Sequence, residues 1–213
     1  MTQIVVVDYG MGNLRSVAKA VEHVAPDKSV IISSDKNEIA NAEHVVFPGQ
    51  GAARDCMREL DDRNLTQVVL TAAKEKPFLG ICMGMQVLLN HSEENDGIDC
   101  LGLYEGNVRF FGKDLKSDKG EKLKIPHMGW NGVDQTVEHP LWHNIKNHSR
   151  FYFVHSYYMD PQDKNLVAAT SDYGIEFVTA IAKDNVFAVQ FHPEKSAQDG
   201  LQLLKNFTQW NGK

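Results

Sequence analysis

Short apolar runs alternate with helical patterns through about the first 90 residues, and this alternation constrains the fold most strongly. Apolar residues recur at helical spacing over residues 14–24, and a polar stretch over 54–76 is predicted to form two helices broken near Asp61. Another helix is predicted from residue 83 to about 91. Runs rich in β-branched residues predict strands at residues 4–7, 29–32, 44–47 and 78–81. This order predicts a parallel sheet with helices on both faces.

The second half of the chain has a different character, because its predicted strands follow one another with short connections. These strands fall at residues 103–111, 123–133, 150–158, 166–170, 175–183 and 186–191, and a final helix at about 199–210. Residues 113–124 are lysine-rich and are predicted to form a solvated hairpin or loop. We therefore predict an α/β fold with a mixed, mainly parallel central sheet flanked by helices and antiparallel additions in the second half. Residues 1–213 are expected to form one domain.

Composition excludes several classes of function. The 213 residues include 22 Lys+Arg and 28 Asp+Glu, a net charge of −6, whereas nucleic acids and anionic membranes require a basic surface. The three cysteines contain no CxxC pair and indicate a reducing compartment. The first residues lack a basic region typical of a signal peptide, and no apolar run reaches the roughly 18 residues of a membrane span. We expect a cytoplasmic protein without a metal or other cofactor.

The strongest local motif is Gly-Ile-Cys-Met-Gly at residues 80–84, between a predicted strand and a predicted helix. It has the pattern of a nucleophile elbow with Cys82 at the nucleophile position. A helix that begins at Met83 would direct its positive end at the sulfur, and the Met83 N–H would stabilise an oxyanion. The alternative is a buried structural cysteine between tightly packed glycines.

A cysteine nucleophile needs a base, and the base needs a group that orients it. His192 follows a predicted strand, Pro193 favours an extended His192, and Glu194 lies two residues on, where side chains point the same way. The alternative for this segment is a solvated turn. His155 is a rival base, but no carboxylate lies two residues from it.

A third motif, Pro-Gly-Gln-Gly at residues 48–51, follows another predicted strand. Its two glycines would allow the Gln50 N–H to turn into a cleft as a second oxyanion donor, although an ordinary strand-to-helix turn has the same pattern.

Competing motifs are incomplete. Residues 8–13 lack the third glycine of a dinucleotide loop, and His139 and His143 flank Pro140 without the HExxH pattern of a zinc site.

Together the motifs at residues 48–51, 80–86 and 191–194 resemble the class I (triad) glutamine amidotransferases, in an order that covers the whole chain. The resemblance implies a flavodoxin-like fold and a Cys82–His192–Glu194 triad that hydrolyses glutamine to glutamate and ammonia. It also implies a glutamine pocket, whose residues would be Gly49, Gly51, Gln86, Glu94, Ser156 and Tyr157. Glu94 suits the substrate ammonium.

Further segments at residues 8–14, 125–131 and 152–158, with Lys195, resemble the glutaminase subunits of imidazole glycerol phosphate synthases. This resemblance implies a heterodimer with a (β/α)8-barrel cyclase subunit in histidine biosynthesis. Because 213 residues are about what one glutaminase domain needs, we expect the acceptor site on another polypeptide. The expected interface and ammonia passage involve Met11, Asn13, Trp130 and Lys195. Three alternatives are the glutaminase subunit of another amidotransferase, a stand-alone cysteine hydrolase and a non-catalytic binding subunit.

Overall fold

The computed structural model describes residues 3–117 and 119–213. Met1, Thr2 and Asp118 lie outside the described residues, and Asp118 falls in the predicted loop at 113–124. Within that loop, Lys116 and Lys122 form an isolated antiparallel bridge, which agrees with the predicted hairpin. No helix among the described residues is long and apolar enough to cross a membrane.

The first part of the chain forms the parallel strands and most of the helices. Its elements are β1 (Gln3–Val7), α1 (Leu14–Val24), β2 (Ser29–Ser33), α2 (Lys36–Asn41), β3 (His44–Gly49), α3 (Ala53–Asp62), α4 (Thr66–Glu75), β4 (Phe78–Cys82) and α5 (Met83–Gln86). Helix α1 buries Val17 and Val21 on one face. Helix α2 was not expected from apolar spacing; its start is fixed by Asp35, which accepts hydrogen bonds from the backbone N–H groups of Asn37 and Glu38.

The helix predicted from residue 83 to about 91 is wrong in length. Helix α5 is one turn, and the chain continues into strand β5 (Leu89–Ser92). Val87, Leu88 and Leu89 are all fully buried. In a longer helix these three consecutive side chains would point in three directions about 100° apart, and all three could not face the same core surface. A helix of one turn also carries a much smaller dipole than the longer predicted helix would direct at the Cys82 sulfur.

The second part of the chain supplies the remaining strands and the last helix. After β5 come β6 (Ile98–Asp99), β7 (Tyr104–Phe110), β8 (His127–Gln135), β9 (Ser149–His155), β10 (Tyr157–Pro161), β11 (Val167–Asp172), β12 (Glu176–Lys183), β13 (Val186–Val189) and α6 (Ala197–Gln209). The single strand predicted at 150–158 is two strands separated at Ser156. Strand β9 pairs with β8, whereas β10 pairs with β7 and β12.

The order β2-β1-β3-β4-β13 is parallel, and β12, β10, β7, β5 and β6 extend the same sheet. Strand β12 pairs antiparallel with both β13 and β10, which confirms the predicted antiparallel additions. Gly49 lies opposite Cys82 in the register, and Ile81 lies opposite Val189. The carboxyl ends of β3, β4 and β13 therefore meet at one edge of the sheet, where α/β proteins commonly place their sites.

Candidate active site

Cys82 lies at the carboxyl end of β4 in a backbone conformation that few non-glycine residues adopt. Its φ is 56° and its ψ is −112°. A side chain in this conformation is strained, and such strain persists only where the surrounding structure holds it. Here β4 is paired on both sides, with β3 and with β13. The turn therefore presents the Cys82 thiol at the sheet edge.

The two glycines of the motif are required by close backbone packing. A Cβ at Gly84 would lie 1.9 Å from the Phe47 carbonyl oxygen. A Cβ at Gly80 would lie 2.8 Å from the Gly84 carbonyl oxygen and 2.9 Å from the Ala188 Cβ. A methyl group at either position would displace a neighbouring strand or the turn itself. The glycine spacing therefore reflects how tightly the elbow packs against β3 and β13.

The imidazole of His192 lies beside the thiol and is oriented by a carboxylate. His192 Nδ1 is 2.9 Å from Glu194 Oε1, and both side chains are almost completely buried. His192 Nε2 is buried and has no hydrogen-bond partner among residues 3–117 and 119–213. Burial by itself lowers the pKa of His192, but its interactions with Cys82 and Glu194 outweigh burial and raise that pKa. The imidazolium is thus the favoured form next to the thiol.

His155, the rival base, is also near the site but has both ring nitrogens occupied. Its Nδ1 donates to the Tyr157 carbonyl oxygen at 2.8 Å, and its Nε2 accepts from His127 Nδ1 at 3.0 Å. Burial lowers the pKa of His155 to about 3, and burial also lowers that of His127 to about 4. A neutral imidazole with no free nitrogen is unsuited to proton transfer.

The Pro-Gly-Gln-Gly segment packs against the elbow. The Tyr9 hydroxyl donates to the Pro48 carbonyl oxygen at 2.9 Å. A Cβ at Gly49 would lie 2.7 Å from the Gly84 nitrogen, so Gly49 is held against the elbow. Gly51 has a φ of +87°, and a Cβ there would lie 2.9 Å from the Met11 Cε. The segment is therefore fixed between the elbow, Tyr9 and Met11.

A cavity of about 450 Å³ opens in front of the thiol. It contains most of the residues predicted to bind glutamine, but Gly49 does not line it. Its lining residues are Gln50, Gly51, Cys82, Met83, Gln86, Glu94, Pro126, Val154, His155, Ser156, Tyr157 and His192. The structure thus gathers residues from both halves of the chain around one space.

Two polar residues of this cavity are held by other parts of the protein. Glu94 accepts a hydrogen bond from the Ala53 N–H at 2.7 Å, and burial raises its pKa despite that hydrogen bond. The Gln86 Nε2 donates to the Tyr157 carbonyl oxygen at 3.0 Å and to Gln190 Oε1 at 2.8 Å. Both side chains are therefore oriented before any ligand enters.

The residues expected at a partner interface lie outside the cavity. Trp130 is 43% exposed and Met128 is 62% exposed on the same strand, and residues two apart on a strand share a face. Lys195 Nζ lies 6.0 Å from the centre of the Tyr152 ring, which also contacts Trp130. Met11 touches Gly51, whereas Asn13 immediately precedes α1.

The sequence motifs indicate no role for Gln190 or Tyr9. Gln190 donates through Nε2 toward Cys82 Sγ at 3.8 Å, and Tyr9 hydrogen-bonds to the Pro48 segment. Tyr9 comes two residues after the predicted strand at 4–7, which is a signal that could have indicated it, whereas Gln190 falls inside the predicted strand at 186–191 and comes directly after β13 only in the structure.

Known proteins resemble this chain in sequence over nearly its whole length. The profile of the class-I glutamine amidotransferase family matches residues 5–210. Imidazole glycerol phosphate synthase subunit HisH of Hydrogenovibrio crunogenus is 57% identical over 98% of this chain and 97% of its own length. The HisH subunit of Thiobacillus denitrificans is 60% identical over 98% of this chain and 91% of its own length.

Two solved structures are similar in fold. A crystal structure of a glutamine amidotransferase aligns with a TM-score of 0.70 at 16% identity, over 96% of this chain and 97% of that one. The structure of PurLQS from Thermotoga maritima aligns with a TM-score of 0.65 at 17% identity, over 97% of each chain. The predicted fold class and family resemblance are confirmed. The chain belongs to the class-I glutamine amidotransferase family and, within it, to the family of imidazole glycerol phosphate synthase subunits HisH.

Proposed function

We propose that this chain hydrolyses the side-chain amide of glutamine and passes the ammonia to a separate cyclase subunit. That subunit would make imidazole glycerol phosphate and aminoimidazole carboxamide ribonucleotide. The observation that carries the proposal is the convergence of Cys82 with the His192–Glu194 pair beside a cavity of about 450 Å³. Residues 1–213 would act as one glutaminase domain.

The raised pKa of His192 favours a thiolate–imidazolium pair at the start of the reaction. The Cys82 sulfur attacks the amide carbon of glutamine, and the carbonyl oxygen becomes an oxyanion. When the C–N bond breaks, the His192 imidazolium gives its proton to the departing nitrogen, which leaves as ammonia. His192 then takes a proton from water, whose oxygen attacks the thioester and releases glutamate. Glu194 holds His192 in the required tautomer.

The oxyanion needs donors that are already in place. Met83 follows Cys82 in the elbow, and Gln50 directly follows the neighbouring strand β3, so their backbone N–H groups are the proposed donors. Each such donor is typically worth about 3 kcal/mol of transition-state stabilisation. The close packing of Gly49 and Gly51 supports this role, because it restricts the peptide that contains the Gln50 nitrogen.

The rest of the cavity suits the amino-acid part of glutamine. Glu94 offers a carboxylate to the substrate ammonium, and Gln86, Ser156 and Tyr157 line the same space. Gly51 completes the wall next to Gln50, whereas Gly49 would act by holding that wall against the elbow.

The proposed docking face for the cyclase is formed by Met128, Trp130, Tyr152 and Lys195. Two exposed apolar side chains on one strand, with a cation at the edge, suit a protein partner. Met11 touches Gly51 at the cavity wall, and Asn13 lies two residues further along the chain; both are assigned to the same partner interface and ammonia passage. The resemblance to glutaminase subunits suggests a (β/α)8-barrel partner in a heterodimer, in the cytoplasm.

A glutaminase assay with and without a candidate cyclase subunit and its nucleotide substrate tests the proposal. We expect activation of more than about tenfold, which corresponds to at least about 1.4 kcal/mol of transition-state stabilisation. Equal turnover under all conditions, or efficient turnover of peptides by the chain alone, would instead indicate a free hydrolase.

A further inference from the structure

Gln190 has a completely buried side chain that contacts two parts of the active site. Its Nε2 donates toward Cys82 Sγ at 3.8 Å, and its Oε1 accepts from Gln86 Nε2 at 2.8 Å. Its backbone N–H donates to the Thr179 carbonyl oxygen at 2.8 Å, which fixes the main chain beside β12. Gln190 therefore links the sulfur to a residue of the cavity wall.

A buried amide is unfavourable unless its polar atoms are satisfied, since each unmade hydrogen bond costs about 1–3 kcal/mol. In Gln190 the oxygen has a partner and the nitrogen points at the sulfur. An N–H donor stabilises a thiolate more than a thiol, because hydrogen bonds to charged groups are the stronger ones. The amide is thus matched to the ionised form of Cys82.

We propose that Gln190 is a positioning residue that holds the Cys82 thiolate and the Gln86 amide as one unit. Its effect on substrate turnover rests on the proposed function, whereas its effect on the sulfur does not. Gln190 stabilises the thiolate through Nε2 and fixes the amide plane of Gln86 through Oε1.

The other side of Gln86 is anchored independently. The Tyr157 carbonyl oxygen accepts from Gln86 Nε2 and from His155 Nδ1, and His155 Nε2 accepts from His127 Nδ1. A continuous chain of hydrogen bonds therefore runs from β8 to the sulfur. The Tyr157 carbonyl oxygen would still hold Gln86 if Gln190 were replaced, since that carbonyl also binds the buried His155. Loss of Gln190 would therefore remove one of the two hydrogen bonds of Gln86 and leave the other.

Alkylation of the full chain by iodoacetamide, followed at Cys82 by peptide mass spectrometry from pH 5 to 10, tests the contact with the sulfur. Gln190→Met keeps the volume and removes both hydrogen bonds. We expect its alkylation midpoint to rise by about one pH unit, since one hydrogen bond to a charged group is worth about that much. Thr179→Val is the matched control, because it alters the neighbouring buried residue whose hydroxyl has no partner among residues 3–117 and 119–213. Its midpoint should equal that of the parent chain.

Gln190→Glu separates the two contacts. Its carboxylate keeps an acceptor for Gln86 but opposes a nearby thiolate, so we expect a raised alkylation midpoint with a KM for glutamine within about twofold of the parent. Gln190→Met should lower kcat and also raise KM at least about fivefold. Midpoints equal to the parent's in both variants, with melting temperatures showing that they are folded, would overturn the proposal. A shifted midpoint without any glutamine turnover in the parent would uphold it and count against the glutaminase function alone.

Discussion

The parallel and antiparallel parts of the sheet make different contributions to the candidate site. The parallel part contributes backbone geometry: Cys82 at a φ of 56°, and glycines whose neighbours leave no space for a methyl group. The antiparallel part contributes buried side chains that hydrogen-bond to one another, such as His127 and His155. The parallel region is thus restricted by steric packing of the backbone, whereas the antiparallel region depends on the protonation state of its buried histidines.

The two regions should therefore tolerate different kinds of substitution. A methyl group added to the elbow should disrupt it at any pH, because the conflict is steric. The imidazole pair should instead be more sensitive to protonation than to a change in side-chain volume. Burial lowers the pKa of both histidines, so placing a proton on either one is unfavourable in the folded chain.

The largest effect is expected for Cys82→Ala, which removes the nucleophile without changing the fold. Glutaminase activity of the partner-activated chain should fall by at least about 10³-fold, while the melting temperature and partner affinity stay near those of the parent. Cys100→Ala is the control and should keep activity within about twofold. Substantial glutamine hydrolysis by Cys82→Ala would sink the assignment of the nucleophile.

Gly84→Ala should destabilise the parallel region by more than about 3 kcal/mol or prevent folding, because its Cβ would lie 1.9 Å from the Phe47 oxygen. Gly112→Ala is the matched control: its φ is +92°, but among the described residues no atom other than those of its chain neighbours lies within 4 Å of the added Cβ. It should cost only about 1–2 kcal/mol of backbone strain. Chemical denaturation measures both, and equal losses would contradict the steric account of the elbow.

Trp130→Ala should weaken binding of the cyclase subunit by about 10- to 100-fold, since truncating an interface tryptophan typically costs about 2 kcal/mol. The exposed Val137 provides a control, and Val137→Ala should bind within about twofold of the parent. Titration calorimetry gives both affinities. If the two variants bind alike, the docking face lies elsewhere.

A pH-dependent effect is expected for the buried imidazole pair of His127 and His155. The pKa of His127 is lowered to about 4 in the folded chain, so the unfolded chain binds more protons between pH 6.5 and 4. This contribution to the free energy of unfolding therefore falls as pH falls through that window, by up to about 1.4 kcal/mol per pH unit.

In His127→Gln the free energy of unfolding should decrease less between pH 7.5 and 4.5 than in the parent chain. His23→Gln, at an exposed position, should show the same decrease as the parent. Denaturation at pH 4.5 and 7.5 measures the difference. If the free energy of unfolding of His127→Gln changed with pH as much as that of the parent chain, the buried pair would not be a cause of the loss of stability in acid.

Sequence predicts much of the parallel region because its signals are local. The β-branched runs give β1, β3 and β4 to within a few residues, and the glycine spacing identifies the elbow. Apolar spacing predicts the wrong structure after Cys82. The buried residues Val87, Leu88 and Leu89 are included in the predicted helix, but they lead into strand β5. Apolar spacing also fails to identify Gln190, because a contact between residues 108 apart depends on the register of β13 with β4.

The assignment of Cys82 as the nucleophile is tested most directly by identifying which cysteine reacts with a glutamine-like electrophile. Burial raises the pKa of both Cys56 and Cys100 to about 12, so neither should supply a thiolate near neutral pH. In the chain incubated with the cyclase subunit and its nucleotide substrate, mass spectrometry should find one adduct, at Cys82, and excess glutamine should slow its formation. An adduct at Cys100, or no adduct on Cys82 under these conditions, would contradict the account.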